Sequence, residues 1–160
     1  MEKGNNVFIS HYGKDDDKVQ RLKERFAESN YKVRNYSVDS TKHTERKRPS
    51  KEVIERLLRR QISWSGSFIC LIGDKTHTRP WVDYEIKEAI KQNKKIIGVY
   101  AHGSKETAEL PVGLKKYGVA TIGWNSIDRL VDIMNEKEIP QETPSGTERE
   151  PLYQMEKIKC

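Results

Sequence analysis

A glutamate and a tryptophan, four residues apart, are the side chains of this sequence best placed to do chemistry. Apolar residues recur at helical spacing and predict a helix from about Trp81 to Gln92. At about 100° per residue, Glu85 lies roughly 85° from the centre of the core face, and Trp81 lies about 40° from Glu85 on the same flank. A carboxylate beside an indole at a core margin is a candidate reactive pair. The alternative is an exposed glutamate next to a half-buried tryptophan.

Other sets of reactive side chains are incomplete. The four histidines show no close-paired ligand spacing such as His-x-x-x-His, so no metal site is predicted. Neither a P-loop nor a Gly-x-Gly-x-x-Gly motif is present. The two cysteines, Cys70 within an apolar run and Cys160 at the last position, form neither a disulfide framework nor a metal cage.

Short apolar runs alternate with helix-like segments along the chain. They predict strands at residues 7–9, 31–38, 67–72, 95–100 and 119–124, with the second strand near a sheet edge. Such alternation is typical of a parallel sheet with helices on both faces. Five strands in about 130 residues favour a flavodoxin-like, doubly wound α/β sheet of order 2-1-3-4-5.

The intervening helices are marked by caps and apolar faces. Acids at 15–17 suit the start of the first helix, which ends near Asn30, and Ser50 is the predicted N-cap of the second. Glycine and proline within 103–118 make a fourth helix short or absent, and Ser126 is the predicted cap of the last one. The predicted inward residues are Val53, Ile54, Leu57, Leu58 and Ile62 in the second helix and Ile127, Leu130, Val131 and Met134 in the last.

The expected ligand site follows from the sheet order. In open parallel sheets, ligands bind beyond the carboxyl ends of the strands, where the strand order reverses. That rule points to Ser10–Lys14 and Gly73–Trp81, onto which the helix carrying Glu85 opens. A flavodoxin needs a Ser/Thr/Gly-rich phosphate loop after the first strand. A receiver domain needs an acidic pair there and an aspartate ending the third strand, so the sequence fits neither class.

Two motifs resemble those of a known family. Residues 7–12, followed by Asp15, resemble the first strand of TIR domains and its exit. Residues 73–86, which end in Trp81-Val82-Asp83-Tyr84-Glu85-Ile86, are similar to the Trp-x-x-x-Glu helix of bacterial TIR enzymes. The residue sequence of this second motif is most similar to that of the TIR-like family of Thoeris anti-phage systems. The resemblance covers roughly residues 5–135 and implies a TIR-like fold.

The resemblance implies an enzyme that cleaves the nicotinamide–ribose bond of NAD+. Members of the family release ADP-ribose, cyclise it or attach it to another acceptor, and the product activates a partner effector. Glu85 matches the catalytic glutamate, whose carboxylate stabilises oxocarbenium-like charge on the ribose and accepts hydrogen bonds from its hydroxyls. NAD+ is then a substrate, and neither a tightly bound cofactor nor a metal is expected.

The resemblance also implies substrate-binding residues around that carboxylate. Trp81 offers an aromatic wall, and Phe8, Ser10, His11 and Tyr12 leave the first strand towards nicotinamide and ribose. For His11 the alternative is a solvent-exposed loop residue.

For Tyr84 and for the loop after the second strand, contact with a second subunit is one of two alternatives. Tyr84 lies almost opposite the core face of its helix, so it is either a surface tyrosine or part of a site that a neighbouring subunit completes. The loop matches the family's BB loop, which lines the pocket and often contacts another subunit in a homo-oligomer. Asp39, at its start, binds a ribose hydroxyl or caps a turn. Arg46, Lys47 and Arg48 suit the pyrophosphate or an acidic partner surface.

Positive charge is concentrated in one segment. The 160 residues include 30 Lys+Arg and 24 Asp+Glu, a net charge of +6, and residues 42–60 hold eight bases and three acids. This excess suits the phosphates of a dinucleotide or an acidic protein surface, and the alternative is a solvated helix face and loop without a ligand. No aromatic residue interleaves with these bases, so a nucleic-acid partner is not favoured.

The sequence divides into a TIR-like domain at 1–135 and a polar C-terminal tail at 136–160. No apolar run approaches the roughly 20 residues of a membrane helix, and the N-terminus lacks the apolar region of a signal peptide, so a cytoplasmic protein without a membrane partner is expected.

The predicted role is to make a nucleotide signal in bacterial anti-phage defence, sensed by a downstream effector. The alternative is a non-catalytic TIR-like module that scaffolds partners through its basic loop and helix; the presence of Trp81 and Glu85 favours the enzyme.

Overall fold

A parallel sheet organises the computed structural model, which describes residues 6–29, 31–34, 50–105, 107–135 and 140–148. Over these residues, five parallel strands follow the order β2-β1-β3-β4-β5, which confirms the predicted flavodoxin-like topology. The strands are β1 (Asn6–Ser10), β2 (Lys32–Arg34), β3 (Ser67–Ile72), β4 (Lys95–Tyr100) and β5 (Ala120–Ile122). The helices are α1 (Asp16–Glu28), α2 (Lys51–Trp64), α3 (Pro80–Lys91), α4 (Val112–Tyr117) and α5 (Leu130–Met134).

Apolar layers cover both faces of the sheet. Because successive strand residues point to opposite faces, Val7 and Ile9 pack with α1 and α5, whereas Phe8 packs with α2, α3 and α4. The Phe8 ring is stacked on that of Phe68 in β3, with centroids 5.4 Å apart. Ser10 has the same parity as Phe8, so the polar end of β1 faces α3.

The register of the two central strands brings Ser10 beside a cysteine. Ser10 pairs with Cys70 across β1 and β3, and Cys70 pairs in turn with Gly98 of β4. Register partners in a parallel sheet share a face, so Ser10 and Cys70 lie side by side beneath α3. This corner of the sheet is where the strand order reverses.

Helix α2 begins where the sequence predicts, but fewer of its apolar side chains are buried than the sequence predicts. The Ser50 side chain accepts a hydrogen bond from the backbone N–H of Val53, which confirms the predicted N-cap. The buried residues of α2 are Ile54, Leu58 and Ile62. The predicted inward positions Val53 and Leu57 are wrong, because their side chains are 38% and 37% exposed. Each precedes a buried residue by one position, which turns it about 100° towards solvent.

The last helix begins differently from the prediction. Residues Trp124–Arg129 form a 3-10 turn that starts directly after Gly123, so Ser126 lies inside the turn and is not a cap. Leu130 and Met134 of α5 are buried as predicted, but Ile127 and Val131 are only partly buried. The six-residue α4 agrees with the expectation of a short fourth helix.

Part of the predicted polar tail packs on the edge of the sheet. The N–H of Thr121 donates to the carbonyl of Pro140 over 3.0 Å, and the N–H of Glu142 donates back to the carbonyl of Thr121 over 2.8 Å. The buried Glu142 carboxylate accepts from the Gly123 N–H at 3.0 Å and from Arg129 at 2.5 Å. Residues 140–148 therefore belong to the packed fold.

The helices of the described segments are too short or too polar to cross a bilayer.

Candidate functional site

Glu85 of α3 lies over the carboxyl end of β1. The hydroxyl of Ser10 donates to Oε1 of Glu85 over 2.6 Å, and both side chains are fully buried. Val82, Ile86 and Ala89 hold α3 on the sheet, and this orientation turns the flank carrying Glu85 towards β1. The alternative of an exposed glutamate is therefore wrong.

Burial makes the contact between Ser10 and Glu85 energetically significant. A carboxylate removed from water is costly unless hydrogen bonds replace its hydration, and a bond to a charged acceptor is among the strong ones. The short distance between the Ser10 hydroxyl and Glu85 Oε1 also fixes the carboxylate in one orientation. A polar pair of this kind, at the carboxyl end of a central strand, is a candidate reactive centre.

Cys70 lies close to the same carboxylate, but its thiol is not a candidate nucleophile. Complete burial raises the pKa of the Cys70 thiol far above its usual range, and the charge of Glu85 raises it further. The reactive form of cysteine is the thiolate. Cys70 therefore stays protonated at neutral pH, and Glu85 is the better candidate for direct chemistry.

The segment that leaves β1 carries two more predicted site residues. His11 is fully buried, so the alternative of a solvent-exposed loop residue is wrong. Tyr12 is half-buried, and the Arg79 guanidinium carbon lies 4.6 Å from the centroid of its ring. Arg79 immediately precedes Pro80 at the start of α3, so this contact joins the exit of β1 to the helix that carries Glu85.

No role was predicted for Arg79, although it stands within the motif that contains Trp81 and Glu85. A basic residue directly before the proline that opens a helix was the available signal. Its contact with Tyr12, 67 positions away by residue number, requires the fold.

Trp81 and Tyr84 form an aromatic pair on the outer flank of α3. Both are half-buried, and their rings meet edge to face with centroids 5.5 Å apart. Burial raises the pKa of the Tyr84 phenol; Glu55 and Glu88 raise it further, and Arg59 lowers it. Tyr84 thus packs towards α2 and is not a fully exposed surface residue. The contributions of Trp81 and Tyr84 to substrate binding remain predictions.

Phe8 occupies the core beneath the site. It is fully buried and stacked on Phe68, so its observed role is to support the end of β1. Ser10, His11 and Glu85 also have no exposed surface. In this conformation the centre is closed, and a sugar reaches Glu85 only after neighbouring side chains move.

The remaining predicted residues are divided between two places. Asp39, Arg46, Lys47 and Arg48 lie outside the described residues. The described end of the basic segment, Arg56, Arg59 and Arg60, lines an open groove of about 760 Å³ on α2 and α3, together with Glu88 and Gln92. This groove is on the outer surface of the two helices.

A second groove, of about 190 Å³, follows the carboxyl edge of the sheet. Tyr12 lines it, and Lys18 and Lys75 add two positive charges. Asp15, which forms a 3.3 Å ion pair with Lys18, and Asp74 lie along it as well. Gly73, Gly103 and Ser104 complete the lining. Tyr12 therefore belongs both to this groove and to the contact with Arg79.

Metal-ligating side chains do not gather within the described segments: no three of His, Cys, Asp and Glu come together there in a way that could hold an ion.

Comparison with known proteins identifies the family. Residues 8–106 match the profile described as Thoeris protein ThsB, TIR-like domain. The curated protein "Putative cyclic ADP-D-ribose synthase ThsB1" of Bacillus cereus (strain MSX-D12) is 30% identical over 93 residues, 58% of this chain and 44% of the relative. The chain thus matches less than half the length of that relative.

A solved structure, the CMP N-glycosidase BcmB of Clostridium botulinum, resembles this chain with a TM-score of 0.54 at 21% identity. The similarity covers 82% of this chain and 98% of that one, and it supports the fold. Since the family profile spans more than half of the sequence, the chain belongs to the Thoeris ThsB TIR-like domain family.

Proposed function

We propose that this protein cleaves the nicotinamide–ribose bond of NAD+ and converts the ADP-ribose part into a signalling nucleotide in Thoeris defence. The observation that carries the proposal is the buried Glu85 carboxylate, held by Ser10 at the carboxyl end of β1. The name of the Bacillus cereus relative, a cyclic ADP-D-ribose synthase, supports the same chemistry.

The role of Glu85 follows from the charge that develops in the reaction. As the bond from ribose C1 to the pyridinium nitrogen breaks, its electron pair leaves with nicotinamide, which departs as a neutral molecule. The ribose acquires oxocarbenium-like positive charge, which a nearby carboxylate stabilises. No proton has to be given to this leaving group, so one carboxylate suffices for the cleavage step.

Ser10 acts on the reaction through Glu85. Its hydroxyl holds Oε1 before substrate arrives, so the carboxylate needs little reorientation when charge builds on the sugar. Trp81, on the same flank of α3, provides an apolar wall for a ring or for the sugar face.

The product depends on which nucleophile reaches ribose C1 after nicotinamide leaves. Water gives ADP-ribose, a nitrogen or oxygen of the same molecule gives a cyclic nucleotide, and a separate acceptor gives a conjugate. A downstream effector that senses the product is the partner this proposal requires.

The test is nicotinamide release from NAD+, followed by chromatography, with the full chain. Glu85→Gln removes the negative charge with little change of volume and is expected to lower the rate by about 100-fold or more. Glu88→Gln is the matched control, since Glu88 lies one turn further along α3 and is also buried. It is expected to retain activity.

Mass analysis of the product then separates hydrolysis, cyclisation and transfer. Full activity of Glu85→Gln contradicts the assignment of the catalytic carboxylate. A wild-type protein that releases no nicotinamide, alone or with extract from phage-infected cells, favours the non-catalytic scaffold.

A further inference from the structure

We propose that Thr76 is a positioning residue of the reactive centre: its hydroxyl anchors the start of α3 on the end of β3 and thereby sets the contact between Ser10 and Glu85. The inference rests on the proposed function, because it names a residue through which Glu85 is held for the reaction. Thr76 stands in the motif at 73–86, but the sequence predicts no role for it.

The side chain of Thr76 closes the turn that follows β3, and it is fully buried. Its hydroxyl accepts a hydrogen bond from the N–H of Gly73 over 2.8 Å and donates one to the carbonyl of Leu71 over 3.4 Å. Both partners lie at or directly after the carboxyl end of β3, the middle strand of the described sheet. Because a buried N–H needs a partner, the hydroxyl is a fixed part of this turn.

Backbone hydrogen bonds carry this anchor into α3. The N–H of Arg79 donates to the carbonyl of Thr76 over 3.1 Å, and the N–H of Asp83 donates to the carbonyl of Arg79 over 3.1 Å. The second of these bonds lies in the first turn of the helix. Glu85 follows Pro80, the first residue of α3, by five residues, which is about 7.5 Å of rise. A displacement of the helix start is therefore passed on to Glu85.

The same turn also supports the segment that leaves β1. Gly73 has no side chain at the point where Asp15 lies, since a Cβ there would come 2.5 Å from Oδ2 of the aspartate. The N–H of Asp15 in turn donates to the carbonyl of Tyr12 over 2.8 Å. Ser10 ends β1 just before these residues. The turn closed by Thr76 is thus connected to both segments that meet in the centre.

The contact between Ser10 and Glu85 is sensitive to the position of α3. The hydroxyl and carboxylate oxygens are 2.6 Å apart, and a further separation of about 1 Å is enough to break such a bond. The apolar contacts that hold α3 on the sheet are non-directional, so they orient one carboxylate less closely than hydrogen bonds do. A misplacement of about 1 Å can lower an enzymatic rate by about 100-fold. The anchor at the start of α3 therefore bears on rate as well as on stability.

A purely structural role for Thr76 makes a different prediction. If the hydroxyl only stabilises the turn, its loss lowers the free energy of unfolding, but the folded protein keeps its kcat. If the hydroxyl positions α3, its loss lowers the kcat of the folded protein through Glu85 while NAD+ still binds. The hydroxyls of Ser10 and Thr76 bond to different groups, so in the structural case their effects on stability add.

The experiment compares kcat and KM for nicotinamide release from NAD+ at a temperature at which circular dichroism shows each variant to be folded. Thr76→Val removes the hydroxyl at nearly the same volume and is expected to lower kcat by about 10-fold or more, with KM changed by less than about 3-fold. Thr76→Ser keeps the hydroxyl and should retain most of the wild-type kcat. Thr143→Val is the matched control, because the Thr143 hydroxyl also accepts a backbone N–H, that of Thr147 at 3.2 Å, but in the turn after β5. It should leave both constants unchanged.

A double-mutant cycle gives a readout that needs no turnover. The free energy of unfolding in urea is measured for Thr76→Val, for Ser10→Ala and for the double variant. If Thr76 holds Glu85 at Ser10, the double variant should lose less than the sum of the two single losses, because the first change already weakens the second contact. Ser10→Ala combined with Thr143→Val should be additive. Thr76→Ala, which leaves room for a water at the Gly73 N–H, serves both measurements should Thr76→Val not fold.

An unchanged kcat of the folded Thr76→Val protein, or additive losses of stability for Thr76→Val and Ser10→Ala, overturns the inference. An equal loss of kcat in Thr76→Ser and Thr76→Val overturns it as well, since the hydroxyl would then not matter. Absence of nicotinamide release from wild type, with losses in the cycle that are not additive, contradicts the proposed function but retains Thr76 as the residue that positions Glu85.

Discussion

The hydroxyl of Ser10 and the carboxylate of Glu85 meet at 2.6 Å, although 75 positions separate them in the chain. The contact joins the last residue of a central strand to the middle of a helix that starts after the next strand in the sheet. It gives a buried acid a defined partner, and it ties the stability of the domain to the geometry of its candidate reactive centre.

Ser10→Ala should therefore lower both stability and activity. Loss of a hydrogen bond to a buried charged acceptor is expected to reduce the free energy of unfolding by about 1.5–3 kcal/mol. Release of nicotinamide should fall by about 10-fold or more because Glu85 loses its fixed orientation. Urea denaturation and the NAD+ assay measure the two effects.

Ser65→Ala is the matched control for that change. Ser65 is also fully buried and donates to the carbonyl of Ile62 over 2.7 Å, but it lies at the other end of the sheet, after α2. Ser65→Ala should lower the free energy of unfolding by about 0.5–1.5 kcal/mol and leave kcat/KM for NAD+ unchanged. Equal activity of the Ser10 and Ser65 variants would contradict the positioning role of Ser10.

Cys70 should make the stability of the domain fall at alkaline pH. Burial, together with Glu85, raises the pKa of the thiol in the folded protein above its unfolded value of about 8.5. The unfolded chain therefore loses this proton first, and its ionisation favours unfolding as the pH rises above about 8.5. The stability present at lower pH is lost with a slope approaching about 1.4 kcal/mol per pH unit.

The measurement is the free energy of unfolding at pH 7.5 and 9.5 for Cys160→Ser and for Cys160→Ser/Cys70→Ala, so that Cys160 does not contribute. The advantage of the Cys70-containing protein should shrink by about 1 kcal/mol or more between the two values. A difference between the two proteins that does not change with pH would show that Cys70 does not ionise on unfolding in this range.

The ion pair between Arg129 and Glu142 should stabilise residues 140–148 on the sheet. Glu142 is 2% exposed and also accepts from the Gly123 N–H. Arg129 is 34% exposed, so only the Glu142 side of the pair is buried, and Arg129→Gln is expected to lower the free energy of unfolding by about 1–3 kcal/mol. A double-mutant cycle with Glu142→Gln should show strong coupling, with the double variant less destabilised than the sum of the single variants.

Gly123→Ala tests the same junction through the backbone. A Cβ at Gly123 would lie 2.7 Å from the backbone nitrogen of Gly146 and 2.9 Å from the carbonyl oxygen of Pro144. Backbone atoms cannot rotate away as a side chain does, so we expect a loss of about 1–3 kcal/mol in thermal or urea unfolding. Ser145→Ala, an exposed change in the same turn, should be nearly neutral.

The sequence predicts the sheet well because local apolar runs define its strands. The unbroken run at 67–72 is β3, and residues 95–100 are β4, with the predicted bounds. The strand order then follows from general rules of parallel sheets. Val53 and Leu57 illustrate the limit of such patterns, since apolar side chains on a helix margin do not reveal which of them the sheet covers.

The candidate site could be predicted only in part. Glu85 and Ser10 are recognisable as site residues from the motifs in which they stand. The complete burial of Glu85 is not, because helical spacing places it at a margin, and the partner that covers it comes from the far end of β1. The contact between Arg79 and Tyr12 requires the fold for the same reason.

Residues 140–142 cover the outer edge of strand β5. Strand β5 is the last of the sheet, and an uncovered last strand offers its N–H and C=O groups to any extended chain nearby. Here the protein's own segment takes up both backbone groups of Thr121. Polymerisation by edge-to-edge strand addition at this margin would first require that segment to detach, so we expect the pairing of Arg129 with Glu142 to disfavour such polymerisation.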